Sequence, residues 1–344
     1  MEIINTIVGT PLGYVMRFCY RLLNNYGLAI ILFTLITKII MFPISLLVQK
    51  NSIKMVKMKP ELDALRYQYV DDKDAYVDAQ SALYKKEKYS PMAGVWPLLL
   101  QLPIIFGLLD VVYKPLKHLL HISADTASAF VARAAEISGM TVADLGSTAQ
   151  LTAVNLVKEN AAKFADIPGA DAAIEAIKGL NTNFLGIDLT QTPSISHINL
   201  IFFVPIIAGL SALLMCWIQN RINVLQIEQN KLSQWGMTIF MIAFSTFFAF
   251  IVPAGVGLYW AWGNLFAIGV MYLVNIIYSP KKYINYDALE DMKKQAAEEK
   301  ATAKKNKALA KKYYKQFFSS ENADNMKLVF YSEGSGLQLL QEPH

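Results

Sequence analysis

The sequence predicts an all-α membrane protein with five transmembrane helices, an N-terminal interfacial helix and a cytosolic helical hairpin. Hydrophobic residues make up 54% of the 344 positions and charged residues 17%, against about 45–50% and about 25% in soluble domains. The excess lies in five nearly uncharged runs of roughly 20 residues, the length that crosses a bilayer as a helix. One such run could be a buried core helix, but five in one chain indicate membrane spans. The predicted spans are 26–48, 93–113, 198–219, 236–252 and 256–277.

Residues 1–25 precede the first span and carry apolar side chains at helical spacing. The polar residues Asn5, Arg17 and Arg21 lie largely elsewhere on the helical wheel. We therefore expect an amphipathic helix on the outer face of the membrane. No cleavable signal peptide is expected, because the segment lacks a basic n-region. The predicted apolar face consists of Ile4, Val8, Leu12, Val15, Cys19 and Leu22.

Residues 49–92, after the first span, are rich in Lys, Tyr and Asp. They contain two amphipathic stretches with a break at Asp71-Asp72 between them. Residues 70–73 are predicted to form the turn that joins the two stretches. This pattern predicts an antiparallel helical hairpin.

Residues 114–197, after the second span, are Ala-rich and weakly amphipathic. They predict a helical insertion with helices at about 123–140, 148–165 and 169–179. At the other end of the chain, residues 327–331 have the composition of a short β run, for which we have no physical account.

Basic residues are distributed unevenly between the two sides of the predicted membrane. Residues 49–92 hold nine Lys/Arg and the chain after Tyr278 holds twelve, whereas residues 114–197 hold six against eight Asp/Glu. The positive-inside rule places the hairpin, the link 220–235 and the basic tail 278–344 in the cytoplasm. The N-terminus and the insertion 114–197 are then outside, as an odd number of spans requires.

Lys38 lies in the middle of the first span, with about ten apolar positions on either side. A charge at the bilayer centre costs about 2.5–3.5 kcal/mol even on lenient scales, so it normally faces a wet cavity or a partner. The alternative is snorkelling, in which the ammonium reaches an interface. That behaviour suits residues near helix ends, so the sequence favours a cavity.

Other polar residues in the spans predict which surfaces line this cavity. Thr34 and Ser45 share the helix face of Lys38. The other candidates are Gln101, Ser211, Trp260 and Asn264. Such residues can also hold helices together, or bond their own backbone in the case of Ser.

Enzyme chemistry has no support in the sequence. No phosphate-binding loop, nucleophile motif or pair of carboxylates occurs at membrane depth. His118 and His121, three residues apart, could ligate a metal, but no Cys or nearby carboxylate completes a site, and we expect an interfacial His pair. We therefore predict no catalytic residues, no metal and no cofactor.

Four motifs resemble the YidC/Oxa/Alb insertases over residues 10–280. The first is YGLAIILFTLITK at 26–38, followed by Pro43. The others are PLLLQLPIIFGL at 97–108, NFLGIDL at 183–189 and PAGVGLYWAWGN at 253–264. Their order and spacing, together with five spans, are similar to the bacterial members of the family.

The resemblance implies a function in the bacterial plasma membrane. Family members insert hydrophobic proteins through a groove that is open to the cytoplasm and to lipid and carries one positive charge on the first span. This sequence has Lys38 where the family usually has Arg, and the polar Gln of the third span is replaced near Met215 or Cys216. The implied clients are nascent membrane proteins. The ribosome, the Sec translocon and anionic lipids are candidate partners, and the chain is expected to act as a monomer.

Two other functions stay open at this point. A transporter or channel could use Lys38 as a site for a small solute or anion, although no internal repeat is visible. A membrane-bound acyl or phosphoglycerol transferase would need acid and base residues near the interface, and we find none.

Overall fold

The computed structural model describes residues 5–69, 72–196, 198–227, 231–292, 294–295, 297–298, 301–302, 305 and 308–309. The predicted β run at 327–331 and residues 70–71 of the predicted hairpin turn lie outside these ranges. The chain forms two compact units. The first contains residues 1–56 and 84–284, and the second contains residues 57–83 and 285–344.

Helices dominate the described residues. In chain order they are α1 (Thr10–Leu23), α2 (Tyr26–Gln68), α3 (Lys73–Lys86), α4 (Trp96–Tyr113), α5 (Pro115–His118), α6 (Ala124–Ser138), α7 (Val142–Leu145), α8 (Ala149–Glu159), α9 (Ala170–Lys178), α10 (Phe203–Ile222), α11 (Val224–Ile227), α12 (Lys231–Ile251) and α13 (Ala254–Ile277). Two short strands, β1 (Asn183–Phe184) and β2 (Ile187–Asp188), lie between α9 and α10. Five helices are long and apolar enough to cross a membrane, namely α2, α4, α10, α12 and α13. The predicted class, an all-α protein with five membrane-spanning helices, is confirmed.

Helix α2 continues well beyond the predicted end of the first span at residue 48 and ends at Gln68. It contains Pro43 and Pro60, each of which removes one backbone hydrogen bond. The helix persists because no glycine occurs between Gly27 and Gly94, and residues 49–68 are rich in strong helix formers such as Lys, Met, Leu and Gln. The first helix of the predicted hairpin is therefore the end of α2.

The second unit contains the remainder of α2 and most of α3, the two helices of the predicted hairpin. Asp72 begins α3 by accepting a hydrogen bond from the backbone N–H of Ala75 at 2.9 Å, as N-terminal capping requires. Leu62 and Leu83 are buried. Residues 286–292 are helical.

The insertion is more finely divided than predicted. Helix α6 ends at Ser138 because Gly139, at φ 63°, takes the left-handed conformation that terminates helices. The predicted helix 148–165 is wrong in length, since α8 ends at Glu159 and a 3₁₀ turn follows at Ala161–Phe164. The hydrophobic core of the insertion is continuous with that of α1, α2, α4 and α13. The insertion contributes Phe130, Phe164 and Ile177 to this core.

The β1–β2 pair is the main element that the sequence did not predict. Leu185 and Gly186 join the strands with φ values of 52° and 83°, the conformation of a tight hairpin turn. Backbone carbonyls on either side of the β1–β2 pair accept hydrogen bonds from the first residues of α2 and α13. Tyr26 N donates to Asn181 O at 3.0 Å, and Gly255 N donates to Leu189 O at 2.9 Å. We call this side of the bundle the insertion end, and the opposite side, around Tyr278, the Tyr278 end.

Gly27 packs directly on Phe184, and this contact predicts a stability effect. A Cβ at residue 27 would lie 2.3 Å from Cγ of the Phe184 ring, so Gly27→Ala forces ring and strand to shift. We expect a loss of about 1–3 kcal/mol of unfolding free energy, typical of overpacking. Thermal unfolding in detergent measures it.

Gly94→Ala is the matched control for this variant, because an added Cβ there meets no atom within 4 Å. The double variant Gly27→Ala with Phe184→Ala should lose less stability than the sum of the two single variants, because the ring atoms nearest to the added Cβ are removed. Equal melting temperatures for Gly27→Ala and the parent chain would contradict the packing argument.

Helix α1 has a different apolar arrangement from the one predicted. Met16 and Cys19 are buried against the bundle. The predicted face member Leu22 is 63% exposed, together with Phe18 at 62% and Tyr14 at 60%. The helix thus has one apolar face buried in protein and a second that is exposed, which suits an interface between the bundle and lipid.

The expectation of an interfacial His118–His121 pair is wrong for His118. His118 is buried, and its Nε2 lies 2.7 Å from Oδ2 of Asp110 in α4. Lys114 Nζ lies 2.5 Å from the other oxygen of the same carboxylate. Gly9, just before α1, leaves space for this group because it has no side chain: a Cβ at Gly9 would lie 2.9 Å from Asp110 Oδ2. We call these three side chains the Asp110 cluster.

Outside the spans, burial and neighbouring basic side chains lower the pKa of His121. Burial contributes most, followed by Arg17, His118 and Arg21. His121 is therefore disfavoured as a cation.

Candidate functional site

A polar cavity of about 520 Å³ lies between the long helices. Its wall includes residues of α2, α4, α10, α12 and α13, and none of the described lining residues is acidic. Three methionines, whose unbranched side chains adapt to varied partners, complete the wall with aliphatic residues. The polar lining residues are Lys38, Ser45, Gln49, Gln101, Gln219, Asn223 and Asn275.

Lys38 is twelve residues after the start of α2, about 18 Å along the helix at 1.5 Å per residue. Its stem passes beside Gly263 of α13, with Cε 4.0 Å from the position that a Cβ there would take. Lys38 has no ion-pair partner in the part of the chain that the structure describes. The cavity therefore contains a basic side chain from the middle of a helix long enough to span a membrane, without a described counter-charge.

Amide side chains join three helices at the Tyr278 end of the cavity. Gln49 Nε2 donates to Asn275 Oδ1 at 2.9 Å, which links α2 to α13. Asn275 Nδ2 donates to the carbonyl oxygen of Ile222 at 3.2 Å, which links α13 to α10. Amides both donate and accept hydrogen bonds, so this end can exchange partners with an incoming polar backbone.

Gln101 of α4 lines the same cavity from the other side. Its Nε2 donates to the hydroxyl of Tyr259 at 2.9 Å. Tyr259 is buried, and the bond therefore fixes the amide while leaving part of it towards the cavity.

Four of the predicted groove residues are not among the residues that line this cavity. Thr34 Oγ1 donates to the Ile30 carbonyl of its own helix at 2.6 Å. Asn264 Nδ2 donates to Ser211 Oγ at 3.0 Å, and Trp260 Nε1 donates to Ser245 Oγ at 3.0 Å. These bonds join α13 to α10 and to α12, which is the interhelical alternative considered above.

Gln49 and Asn275 were not predicted to line the cavity, because both lie at span ends where polar residues are expected. A signal was present. Gln49 is eleven residues after Lys38 and four after Ser45, and therefore on the same face of α2. Asn275 has the same spacing of eleven from Asn264.

Comparison with known proteins gives consistent matches. Residues 18–282 match the family described as "60Kd inner membrane protein". The chain is 27% identical over 260 residues to the membrane protein insertase YidC of Rhizobium meliloti, covering 75% of this chain and 34% of that protein. It is 29% identical over 260 residues to the membrane protein insertase YidC of Sinorhizobium fredii, covering 75% of this chain and 35% of that protein. The chain thus spans about a third of the length of the curated relatives it matches.

Proposed function

Because this chain belongs to the YidC/Oxa/Alb family of 60Kd inner membrane proteins, we propose that it is a membrane protein insertase of the bacterial cell membrane. In this proposal it moves short polar segments of client proteins across the bilayer and releases their apolar helices into lipid. The observation that carries the proposal is the polar cavity between the membrane-spanning helices, lined by amides and by Lys38, which has no ion-pair partner among the described residues.

The cavity shortens the dry part of the path that a polar segment must cross. Each backbone N–H or C=O without a partner in hydrocarbon costs several kcal/mol. A volume of about 520 Å³ holds on the order of fifteen water molecules at about 30 Å³ each. Water and the amides of Gln49, Gln101 and Asn275 can supply the missing hydrogen bonds, so part of that cost is removed.

Lys38 adds selectivity through its charge. At 4 Å and an effective dielectric constant of about 20, a carboxylate would gain about 4 kcal/mol from the ammonium. An acidic leading segment of a client is therefore drawn to the middle of the membrane. Its apolar helix then moves into lipid as its side chains leave water. No covalent step or cofactor takes part in this mechanism.

The proposed orientation has the N-terminus outside and the tail inside. It follows from the excess of Lys/Arg in 49–92 and after Tyr278. The Tyr278 end of the cavity then faces the cytoplasm, where nascent membrane proteins arrive. The ribosome, the Sec translocon and anionic lipids remain proposed partners, and the monomer is the proposed working state.

Reconstitution in liposomes with a labelled single-span client tests the proposal. The parent chain should insert the client. It should not pass small solutes, whereas a transporter would. Gly94 lines the cavity, and an added Cβ there meets no atom within 4 Å, so Gly94→Trp should fill the cavity and reduce insertion about tenfold.

Gly236→Trp is the matched control for Gly94→Trp. Gly236 in α12 is also open, with no atom within 4 Å of an added Cβ, and it is not among the lining residues of the cavity. Solute flux without client insertion would overturn the insertase proposal in favour of the transporter.

A further inference from the structure

Three basic side chains lie near one another at the insertion end, outside the five membrane-spanning helices. Arg17 and Arg21 are four residues apart in α1 and therefore share one face of that helix. His121 follows α5, and its ring centroid lies 5.4 Å from that of Tyr14 in α1. Because Tyr14 is three residues before Arg17, His121 lies against the face that carries both arginines. We call Arg17, Arg21 and His121 the basic cluster.

No carboxylate pairs with the two arginines in the part of the chain that the structure describes. The nearby Asp110 is already bonded by Lys114 and His118. Arg17 Nε is buried and has no hydrogen-bond partner among the described residues. Buried donors normally have a partner, so this nitrogen indicates an acceptor that the described chain does not supply.

Repulsion within the basic cluster favours an added anion. Burial lowers the pKa of the Arg17 guanidinium most, and Arg21 lowers it further. The pKa of His121 is lowered first by burial, then by Arg17, His118 and Arg21. A negative charge between these groups would offset the repulsion. The planar guanidinium group can donate two parallel N–H bonds to the oxygens of a phosphate or a carboxylate.

Apolar side chains accompany the arginines on the exposed face of α1. Tyr14, Phe18 and Leu22 are all exposed, and their spacing of four residues makes them neighbours along the helix. A face that combines cations with exposed apolar side chains is typical of a helix in the membrane interface. The expected ligand therefore has an anionic group attached to apolar chains.

The position of α1 favours phosphate as that anionic group. Only residues 24–25 separate α1 from Tyr26, where the membrane-spanning helix α2 begins. The Arg21 end of α1 is therefore held beside one end of a span. The headgroup layer occupies about 5–7 Å on each side of the hydrocarbon core, and lipid phosphates are the anions of this layer.

We propose that the basic cluster binds the phosphate of an anionic phospholipid, with Arg17 and Arg21 donating to its oxygens and the acyl chains lying along the exposed apolar side chains of α1. Two permanent cations match a lipid with a net negative charge. A zwitterionic lipid would bring its own ammonium group next to the arginines and should bind more weakly. The inference does not depend on the insertase function, because lipid binding is measured without a client.

A fluorophore beside the basic cluster tests the proposal. Leu22→Cys is labelled in the full chain, purified in detergent, with Cys19→Ala and Cys216→Ala. Lipids that carry a nitroxide on the acyl chain near the headgroup quench this label only over short distances, so the signal reports lipid at α1. Nitroxide-labelled phosphatidylglycerol should reach half-maximal quenching at about a tenfold lower concentration than labelled phosphatidylcholine. Equal concentrations for the two lipids would overturn the proposal.

Two double variants with the same loss of charge identify the residues responsible. Arg17→Gln with Arg21→Gln should abolish the preference for phosphatidylglycerol. Lys163→Gln with Lys178→Gln removes two exposed basic residues of the insertion instead and should leave the preference unchanged. Arg17→Lys with Arg21→Lys keeps the charge without the planar donors and should retain about a third of the affinity. An unchanged preference in the Arg17→Gln, Arg21→Gln chain would refute the site.

Inorganic phosphate distinguishes a lipid site from a site for the free anion. A free phosphate could form the same N–H bonds but would gain nothing from the apolar side chains of α1. Millimolar inorganic phosphate should therefore leave the quenching by phosphatidylglycerol unchanged. Displacement of the lipid at concentrations equal to its own would show that the cluster binds free phosphate, and would overturn the lipid as its ligand.

Discussion

Replacing Lys38 with Glu is expected to reduce insertion of a client with an acidic leading segment more than a hundredfold. The substitution turns an attraction into a repulsion at the centre of the membrane. A single pair at 4 Å is worth about 4 kcal/mol at an effective dielectric constant of about 20. A net change of about 3 kcal/mol, less than half of the full reversal, already corresponds to more than a hundredfold. Complementation of an insertase-depleted strain and client insertion in liposomes both measure it.

Three controls identify the charge as the cause. Lys38→Arg keeps the charge and should retain activity, although the planar guanidinium is more weakly hydrated than the ammonium. Lys38→Met removes the charge at similar length and should give an intermediate loss. A client with a basic leading segment should be inserted better by the Lys38→Glu variant than by the parent. Full complementation by Lys38→Glu would refute the role of the charge.

Replacing Asp110 with Ala is expected to give the largest loss of stability. Both the Asp110 and the His118 side chains are almost fully buried, at 2% and 4% exposure, and their Oδ2 and Nε2 lie 2.7 Å apart. Leaving a buried hydrogen-bonding group such as the His118 ring nitrogen without its partner costs about 1–3 kcal/mol, and more where a charged group takes part. We expect a loss of about 3 kcal/mol, since the Lys114 side chain is 40% exposed and can turn to water.

A double-mutant cycle checks how this loss is divided. The coupling of Asp110 with His118 should exceed that with Lys114, because solvent screens the exposed ammonium. Asp110→Asn retains a hydrogen-bonding group of the same shape and should be milder than Asp110→Ala. Asp166→Ala breaks the exposed Arg133–Asp166 pair and serves as the control, with an unchanged melting temperature expected. Equal effects of Asp110→Ala and Asp166→Ala would contradict the argument.

The membrane spans were predictable because hydrocarbon imposes a simple rule on length and composition. Lys38 was predictable for the same reason, since a charge in the middle of an apolar run is conspicuous. Gln49 and Asn275 were not selected, because polar residues at span ends have many explanations. The bond between them depends on α2 continuing past residue 48 to Gln49, which requires that Pro43 is tolerated within the helix.

The contacts at the insertion end could not be predicted from the sequence for another reason. The Asp110 cluster joins residues of α4 and α5 under a helix that approaches closely at Gly9 and Gly13. The sequence has an Asp, a Lys and a His at spacings of four. The burial of this cluster depends on how α1 packs, and the sequence predicted one apolar face for α1 where the structure has two. Likewise, the role of Phe184 could not be predicted, because the ring packs on Gly27, which is distant in sequence.

The backbone bonds at the insertion end also determine how the bundle can move. Backbone hydrogen bonds to Asn181 and Leu189 fix the first residues of α2 and α13, so a separation of the two helices that preserves these bonds would be a rotation about that end. From Gly255 to Asn275 the lever arm is about 30 Å at 1.5 Å per residue. A tilt of about 5° would therefore displace the far end by about 2.6 Å at right angles to that arm, which is enough to part the 2.9 Å bond between Gln49 and Asn275. A very small rotation at the insertion end would thus become an opening of molecular size at the Tyr278 end, where the proposed function has clients enter.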